Sequence, residues 1–245
     1  MKQKLHIILP AYNEALNLPN LLGRIENFSA QVPYLDMTVF VINDGSTDNT
    51  SNLSKDFPMS IRKIVVDLNP NRGLAGAMRA GIGEGMKGLS EQDVLVALDA
   101  DDSHNPFLIE RMLKQINEGS DVVIASRYQK GSRIYGLTKF RKFTSWSAGI
   151  LFRVLLPVKG VKDYTSGFRA YKAKILRKAI NRYGEKFIQE QGFACMAEVL
   201  LKLAKEKAII HEVPFILRYD RKKGSSKMKV IKTVRETINL IFKYH

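Results

Sequence analysis

The stretch VLVALDADDSHNPF, residues 94–107, joins an apolar run to a cluster of acids. The run at residues 94–98 is rich in Val and Leu, a pattern typical of a buried parallel strand. Three carboxylates follow it, those of Asp99, Asp101 and Asp102. Because like charges repel, these acids are either hydrated in an ordinary loop or hold a cation. The stretch by itself favours neither interpretation.

Strand-like and helix-like segments alternate through the first half of the chain. Strand patterns occur at residues 5–10, 38–43, 61–68, 94–98 and 122–125, and helical patterns at 16–28, 47–56, 74–87 and 106–118. This order predicts an α/β fold, a Rossmann-like doubly wound and mostly parallel sheet with helices on both faces. Ligands bind such sheets at the carboxyl ends of the strands. Residues 12–14, 43–46 and 99–101 would meet there, which favours a site.

The second half of the chain has a different pattern. A basic loop at 127–142 leads to an amphipathic helix near 144–156, and the stretch DYTSGFRAYKAKIL predicts a turn, a strand and a helix start. EQGFACMAEVLLKLAKEKA predicts an amphipathic helix, and AIIHEVPFILRY predicts one more strand. Without repeats or a low-complexity linker, we expect a single domain over residues 1–245, with halves at 1–126 and 127–229 and an amphipathic helix at 230–245.

Positive charge is concentrated in two regions of the chain. The formal net charge is +15 at pH 7. Residues 122–162 contain nine Lys and Arg and no acid, and residues 218–243 contain nine basic residues against two acids. Such fields favour phosphates, nucleic acid or an anionic membrane surface as partners. Lys222 and Lys223 are interpreted as solvated loop charges that help at an anionic membrane.

Composition places the chain among ordinary globular proteins. The apolar fraction is 45% and the charged fraction 26%. The chain starts without a signal-peptide pattern, and no run approaches the roughly 20 apolar residues of a membrane span. A single cysteine, Cys195, excludes an internal disulfide and a thiolate zinc cluster. These features lead us to expect a cytoplasmic protein.

The Asp-x-Asp pair suggests its own chemistry. Two carboxylates at a strand end can share a divalent cation with a diphosphate, because Mg²⁺ and Mn²⁺ prefer oxygen ligands. Asp44, at the end of the second strand, would be in reach of a nucleobase or ribose. Neither a G-x-G-x-x-G fingerprint nor a G-x-x-x-x-G-K-[ST] loop is present. Dinucleotide oxidoreduction and P-loop ATP hydrolysis are therefore disfavoured.

Seven motifs occur together in the order and spacing typical of one enzyme family: LPAYNE, VINDGSTDNT, LDADDSHNP, ASRY, RKFTSWSA, DYTSGFRAY and GSSKM. Over essentially its whole length, the chain resembles the family 2 glycosyltransferases with a GT-A fold. DYTSGFRAY and the late GSSK narrow the resemblance to the dolichyl/polyprenyl-phosphate sugar transferases, with the dolichol-phosphate mannosyltransferases as the nearest type.

The resemblance implies a role for each matching position. Residues implied to line the nucleotide sugar are Pro10, Tyr12, Glu14, Ile42, Asp44, Asp99 and Ala100. Residues implied to hold phosphates, including that of the acceptor, are Arg127, Arg141, Arg218 and Lys227. Asp99 and Asp101 would bind Mg²⁺ or Mn²⁺, and Asp101, Arg127 and Arg141 would be catalytic. Residues 1–126 would then bind the nucleotide sugar and residues 127–229 the acceptor.

Two positions depart from the family pattern. Ser103 stands where the mannosyltransferases often carry a Gln that helps the metal, and Asn43 replaces the first acid of the common Asp-Asp-Gly-Ser. The first departure weakens the metal-ligand count. Both leave the base and the sugar open.

The expected function is an inverting transfer of a hexose, mannose from GDP-mannose, onto a dolichyl or polyprenyl monophosphate. A lipid monophosphate is already an oxyanion, so the enzyme must mainly position its substrates and neutralise the departing diphosphate. The resemblance implies a peripheral enzyme at the cytoplasmic face of an anionic membrane, and it also allows a small membrane-anchoring subunit as a partner.

Other interpretations remain open on the sequence. One is a family 2 transferase that uses a UDP-sugar or a non-lipid acceptor. The more remote one is a non-enzymatic nucleic-acid-binding protein, which would explain the charge but not Asp99 and Asp101, so nucleic acid is not an expected partner. For two further residues the plainer interpretation is favoured. His104 is taken as a surface-loop residue and not a metal ligand, and Glu198 as a helix-surface residue and not one facing the cleft.

Overall fold

The computed structural model describes residues 2–137, 147, 149–224, 236 and 239–244. The strands are β1 Gln3–Ala11, β2 Leu35–Asp44, β3 Arg62–Leu68, β4 Val94–Ala97, β5 Val122–Ser126, β6 Arg133–Tyr135, β7 Arg169–Lys172, β8 Ile210–Pro214 and β9 Ile216–Arg218. The helices are α1 Leu18–Gln31, α2 Thr50–Asp56, α3 Gly73–Gly85, α4 Leu108–Asn117, α5 149–155, α6 Ala173–Tyr183, α7 Ala194–Lys205 and α8 239–244.

Seven strands form one central sheet in the order β3-β2-β1-β4-β7-β5-β8. All neighbours pair in parallel except β7, which runs antiparallel to both β4 and β5. The predicted α/β fold with a mostly parallel sheet is confirmed. Strand β7 belongs to the second half of the sequence but separates two strands of the first, so the sheet is built from both predicted halves.

Apolar side chains cover both faces of this sheet. Successive residues of β1 point to opposite faces: Ile7 belongs to a core cluster with α1 and α4, and Ile8 to one with α3, α6 and α7. Both side chains are fully buried. Burial of such a side chain stabilises the fold by about 1.5–3 kcal/mol, and the alternation explains why β1 is apolar at nearly every position.

Helix α7 is more deeply buried than its sequence pattern predicts. Ten of its twelve residues are buried, among them Glu198 and Lys202. The aromatic ring of Tyr244 in α8 lies against Lys205, with the ammonium 4.8 Å from the ring centroid. The C-terminal residues therefore cover a face of α7 that an amphipathic pattern would leave to water.

The segment at 208–219, predicted as one strand, forms two. Strand β8 pairs with β5 in the central sheet, whereas β9 pairs with β6 in a separate two-stranded sheet. Pro214 ends β8, and a proline has no N–H with which to continue a ladder. Strand β6 lies inside the predicted basic loop, and of the predicted C-terminal helix at 230–245 the described residues are helical. Within the described ranges no helix is both long and apolar enough to cross a bilayer.

The turn after β2 requires glycine at position 45. Gly45 has φ 65°, a left-handed conformation that favours glycine, and a Cβ there would lie 2.7 Å from the backbone nitrogen of Asn71. The turn carries β2 into the residues that face the end of β1. The close approach of Gly45 to residue 71 fixes the distance between the turn after β2 and the loop before α3.

We expect Gly45→Ala to lower the free energy of unfolding more than Gly88→Ala does. Both glycines have positive φ, but a Cβ at Gly88 has nothing within 4 Å. The control should therefore lose only the roughly 1–2 kcal/mol cost of the left-handed conformation, while Gly45→Ala adds a clash with backbone. Urea denaturation measures both, and equal losses would contradict the argument.

Candidate active site

Three segments meet at the carboxyl edge of β2, β1 and β4. Pro10 pairs in register with Ile42, and the Leu98 amide donates a hydrogen bond to the Ile8 carbonyl at 3.2 Å. The segments that follow these strands are therefore neighbours. The structure brings together the predicted nucleotide-sugar residues of all three strand ends.

Asn13 ties the end of β1 to the loop after β2. Its φ of 54° turns the chain sharply, and its amide N–H donates to the Ser46 hydroxyl at 2.9 Å. Its side-chain oxygen accepts from the Thr47 amide at 2.7 Å. The next amide, that of Glu14, donates to the Thr50 hydroxyl at 2.8 Å. These bonds give Tyr12, which is partly exposed, and Glu14, which is buried, a fixed backbone at the rim.

Asp44 lies at the bottom of this edge with 3% of its surface exposed. Its carboxylate accepts a hydrogen bond from the Arg72 amide at 2.7 Å, and its carbonyl accepts one from the Asn71 side chain at 2.6 Å. Loss of hydration raises the pKa of Asp44 above its usual range, against the opposing effect of the Arg72 amide. The residue is thus anchored to the segment that precedes α3.

The three acids after β4 have separate environments. Asp102 has φ 58°, and its carboxylate is paired with the Arg24 guanidinium of α1 at 2.7 Å. The same guanidinium donates to the Asn105 side chain at 2.7 Å. Asp102 therefore holds the loop against α1, whereas Asp101 contacts the segment after β9.

Asp101 is held by a hydroxyl on one oxygen and an ammonium on the other. Its Oδ1 accepts from the Ser103 amide at 3.1 Å and hydroxyl at 2.5 Å, and its Oδ2 accepts from Lys222 Nζ at 2.8 Å. Lys222 Nζ also lies 3.8 Å from Glu14 Oε1. Burial pushes the pKa of Asp101 up, but the Lys222 ammonium and the Ser103 hydroxyl, with the other neighbours, together hold it below its usual range.

The interpretation of Lys222 as a solvated loop charge is wrong. Only 11% of its side chain is exposed. Burial lowers the pKa of Lys222, but the Asp101 carboxylate outweighs burial and raises it above its usual range. A cation of this chain therefore lies at the carboxylate to which the sequence assigned a metal ion.

The Asp99 carboxylate is about 35% exposed. Loss of hydration raises the pKa of Asp99. Gly167 lies against it, since a Cβ at that position would be 2.6 Å from Asp99 Oδ1. The glycine of the DYTSGF motif thus allows the turn before β7 to approach the acid.

His104 is not a surface-loop residue, as its sequence context suggested. It is 4% exposed, and its ring stacks on Phe168 with centroids 5.2 Å apart and meets the edge of Phe215 at 5.6 Å. Its Nδ1 accepts a hydrogen bond from the Asp99 amide at 3.2 Å. His104 therefore supports the backbone of the acidic loop from within the core.

Arg127, at the end of β5, is clamped by a buried carboxylate. Its Nε and one terminal nitrogen donate to the two oxygens of Asp163 at 2.8 and 2.6 Å, and that nitrogen also donates to the Thr165 hydroxyl at 2.7 Å. Asp163 is fully buried. Burial acts to lower the pKa of Arg127, but the Asp163 carboxylate outweighs it and raises the pKa. Strands β4 and β5 both run antiparallel to β7, so Arg127 and the acids after β4 lie at the same edge of the sheet.

The remaining predicted phosphate residues differ in what the structure describes. Arg218 ends β9, and its guanidinium pairs with Asp220 at 2.8 Å and lies over the ring of Tyr135 at 5.4 Å. It is closer to solvent than Arg127, with 40% of its side chain exposed. Arg141 and Lys227 lie outside the described residues.

The segment after β9 is fastened over the acidic loop at both ends. The Arg218 amide donates to the Ser103 carbonyl at 3.0 Å. The Asn17 side chain, just before α1, bonds the Lys223 backbone twice: it donates to the carbonyl at 3.0 Å and accepts from the amide at 2.7 Å. These bonds place Lys222 above the ends of β1 and β4.

Glu198 does not lie on a helix surface, as the sequence had favoured, and it does not face the cleft either. Its side chain is fully buried, with an ion pair to Lys202 at 2.6 Å. It accepts hydrogen bonds from the amides of Gln189 and Glu190 at 2.7 and 2.8 Å. It therefore fixes the loop before α7 by compensating buried N–H groups.

The donor set fits a hard divalent cation that is shared with substrate. Asp99 and Asp101 offer carboxylate oxygens, and among the described residues no group of three or more His, Cys, Asp or Glu side chains forms a closed metal site. Mg²⁺ typically uses one or two carboxylates together with substrate phosphates. The arrangement suits an ion that binds with a diphosphate.

Two contributors to this edge were not identified from the sequence. Lys222 lies among four basic residues, Arg221 to Lys223 and Arg218, and nothing local distinguishes it. Asp163 had a weak signal, because it is the first acid after residues 122–162, whose charged residues are all basic. An isolated acid at the end of such a region is a reasonable candidate for a buried partner.

Comparisons with known proteins agree with this geometry. The model of "Glycosyl transferase family 2" matches residues 6–180. Over 98% of its length the chain is 33% identical to a dolichol-phosphate mannosyltransferase of Pyrococcus furiosus, and it spans 63% of that protein. It is 32% identical to a polyprenol monophosphomannose synthase of Mycolicibacterium smegmatis, over 92% of this chain and 81% of that protein. It is 34% identical to an undecaprenyl-phosphate mannosyltransferase of Micrococcus luteus, over 90% of this chain and 86% of that protein.

Solved structures share the fold at low sequence identity. A glucosyl-3-phosphoglycerate synthase of Mycobacterium tuberculosis, crystallised with Mn²⁺, UDP and phosphoglyceric acid, superposes with a TM-score of 0.67 at 18% identity, over 98% of this chain and 76% of that one. A mannosyl-3-phosphoglycerate synthase of Rubrobacter xylanophilus gives a TM-score of 0.65 at 17% identity, over 99% and 72%. The sheet topology, the acidic pair at its edge and the extended family match lead to one conclusion: the chain belongs to glycosyltransferase family 2 and has the GT-A fold.

Proposed function

We propose that the protein transfers mannose from GDP-mannose to a polyprenyl or dolichyl monophosphate, with inversion at the anomeric carbon. The observation that carries the proposal is that Asp99 and Asp101 follow β4 at the sheet edge where Arg127 follows β5, with the Lys222 ammonium 2.8 Å from Asp101. A site of this kind can hold two anionic substrates and a diphosphate leaving group. The three relatives above are each named for mannose transfer to a lipid phosphate, which supports the choice of sugar and acceptor.

The donor would occupy the edge formed by β2, β1 and β4. The residues proposed to line its nucleoside and sugar are Pro10, Tyr12, Glu14, Ile42, Asp44 and Ala100. Asp44 is anchored by the Arg72 amide, so its carboxylate has a defined position before any ligand arrives. Such pre-organisation lowers the entropy cost of binding.

Asp99 and Asp101 would hold the Mg²⁺ or Mn²⁺ that accompanies the diphosphate. A divalent cation at that place supplies charge neutralisation for the leaving group. The two acids have the ligand type that these ions prefer, and structures of the same fold were crystallised with Mn²⁺ or Mg²⁺ and UDP. Ser103, bonded to Asp101, orients that carboxylate where the mannosyltransferases often have a Gln.

The basic residues would bring the acceptor phosphate to the sugar. Arg127 is held in place by Asp163, so its guanidinium meets an anion without having to be ordered first. Arg141, Arg218 and Lys227 are proposed to share in phosphate binding. Since the acceptor is an oxyanion already, the reaction requires no side chain to remove its proton, and the buried positions of His104 and Glu198 are compatible with that.

The acceptor lies in a membrane, and the basic regions of the chain would bring the protein to the surface of the bilayer. Residues 122–162 and 218–243 contain most of the excess positive charge. Each Lys or Arg near an anionic surface contributes about 1 kcal/mol to binding. A small membrane-anchoring subunit would add to this attachment.

The proposal predicts which donor and acceptor pair gives product. Purified protein, incubated with GDP-mannose or a UDP-sugar, is offered polyprenyl monophosphate or 3-phosphoglycerate in the presence of Mg²⁺ or Mn²⁺. Mass spectrometry should detect mannosylated polyprenyl phosphate. Asp101→Asn should lower the rate by about a hundredfold or more, because it removes a ligand of the metal ion whose charge stabilises the transition state. Transfer to 3-phosphoglycerate, or an unimpaired Asp101→Asn variant, would contradict the proposal.

Asp163→Asn should impair both stability and transfer. The change leaves the Arg127 guanidinium without its compensating charge, and loss of one partner of a buried ion pair costs roughly 3–5 kcal/mol. Asp220→Asn is the matched control, since it removes a carboxylate from the solvent-exposed pair with Arg218. The midpoint of thermal unfolding should fall much more in Asp163→Asn than in Asp220→Asn. Equal midpoints would show that the buried Asp163–Arg127 pair contributes no more to stability than the exposed Asp220–Arg218 pair.

Binding to vesicles should rise with their content of anionic lipid, because the basic regions of the chain are attracted to negative charge. It should fall with salt, because exposed charges more than about 10 Å apart are screened at 0.1 M ionic strength. Co-sedimentation with vesicles of neutral lipid, and of neutral lipid mixed with phosphatidylserine, measures this directly. The same protein at high salt serves as the control. Equal binding to both vesicle types would remove the electrostatic contribution from the proposal.

A further inference from the structure

Lys222 contacts the acid that the proposed donor complex needs. Its ammonium lies 2.8 Å from Asp101 Oδ2 and 3.8 Å from Glu14 Oε1, within a side chain that is 11% exposed. A monovalent cation of the chain and a divalent cation from solution would both be attracted to Asp101. Repulsion between the two cations disfavours their simultaneous contact with the same oxygen.

We propose that Lys222 shares Asp101 with the divalent cation: it neutralises the carboxylate in the free protein and moves to the diphosphate of the nucleotide sugar when metal and donor bind. This inference rests on the proposed function, because it assumes a metal-bound nucleotide diphosphate. It assigns Lys222 as a further donor-binding residue. The departing diphosphate would then have an ammonium next to it in addition to the metal ion.

The backbone around Lys222 suits a short movement of its side chain. Asn17 fixes the backbone of Lys223 with two hydrogen bonds, and the Arg218 amide is bonded to the Ser103 carbonyl. The backbone is thus attached on both sides of Lys222. A lysine side chain carries its ammonium on a flexible chain of four methylene groups, so the ammonium can reach a neighbouring anion while the backbone stays in place.

Electrostatics gives the movement a cause. Glu14, Asp99 and Asp101 are close enough to one another to interact, and all three interact with Lys222. In the free protein the ammonium is the compensating charge for the buried carboxylates of Glu14 and Asp101. Addition of a divalent cation replaces that compensation, and the diphosphate that comes with it provides a new anionic partner.

Lys222→Met tests this with two measurements of opposite expected sign. Methionine keeps an unbranched chain of similar length and removes the charge. Without nucleotide, the variant should bind Mn²⁺ about tenfold more tightly than the unmodified protein, a change of roughly 1.4 kcal/mol, because competition for Asp101 is gone. With Mn²⁺ saturating, it should bind GDP about tenfold more weakly, because the diphosphate loses an ammonium. Electron paramagnetic resonance of free Mn²⁺ measures the first affinity, and calorimetry the second.

Lys223→Met is the matched control. It removes the same charge from the adjacent position, whose side chain is exposed, and leaves the backbone bonds to Asn17 available. Both of its affinities should stay within about twofold, since an exposed charge at this distance is screened by solvent. Lys222→Arg keeps the positive charge and should therefore keep Mn²⁺ binding weak. It tests the role of the charge in case Lys222→Met does not fold.

The outcomes separate this inference from the proposed function. If the unmodified protein binds Mn²⁺ and GDP but Lys222→Met behaves like Lys223→Met, the sharing of Asp101 is refuted and the proposed function stands. A second outcome is that GDP binds equally well with and without a metal chelator, and that Lys222→Met loses GDP affinity without gaining Mn²⁺ affinity. Lys222 then replaces the metal, and the sharing of Asp101 is refuted as well. Binding of neither Mn²⁺ nor GDP by the unmodified protein would overturn the proposed function itself.

Discussion

Carboxylates accumulate where β1, β2 and β4 end, and their mutual repulsion governs how the surrounding segments are arranged. Like charges at a sheet edge must be compensated, and this chain compensates two of the acids from different parts of its sequence. Asp102 is neutralised from α1 by Arg24, and Asp101 from the segment after β9 by Lys222. The elements that surround the cleft are therefore held together by the same charges that make it a site.

The fold was predictable from the sequence where patterns are local. The parallel strands of the first half are continuous apolar runs, and the residues between them have helical periodicity, so their order determines the sheet. Strand β7 was also located, but four residues cannot reveal that it runs antiparallel between β4 and β5. Its position depends on tertiary pairing. Likewise, nothing in the sequence showed that β8 and β9 belong to different sheets.

The site divides in the same way. Asp44, Asp99 and Asp101 were predicted to share one edge because parallel strands place their carboxyl ends together, and the structure places them at that edge. His104 and Lys222 were misinterpreted because their surroundings come from distant segments: Phe168 and Phe215 enclose the imidazole, and Glu14 and Asp101 receive the ammonium. A lysine in a basic loop and a lysine in an active site have the same local sequence. Only the fold distinguishes them.

The hydrogen bonds between Asn17 and Lys223 join positions 206 residues apart. This clamp has a consequence for the order in which the protein is built. A domain folds as a unit, and β1, β2 and β4 are synthesised well before residue 222. Until then the ribosome carries a nascent chain whose sheet edge bears acids that lack one of their compensating charges. The edge is electrostatically complete only once residue 222 has been synthesised, so its final assembly cannot precede that point of translation.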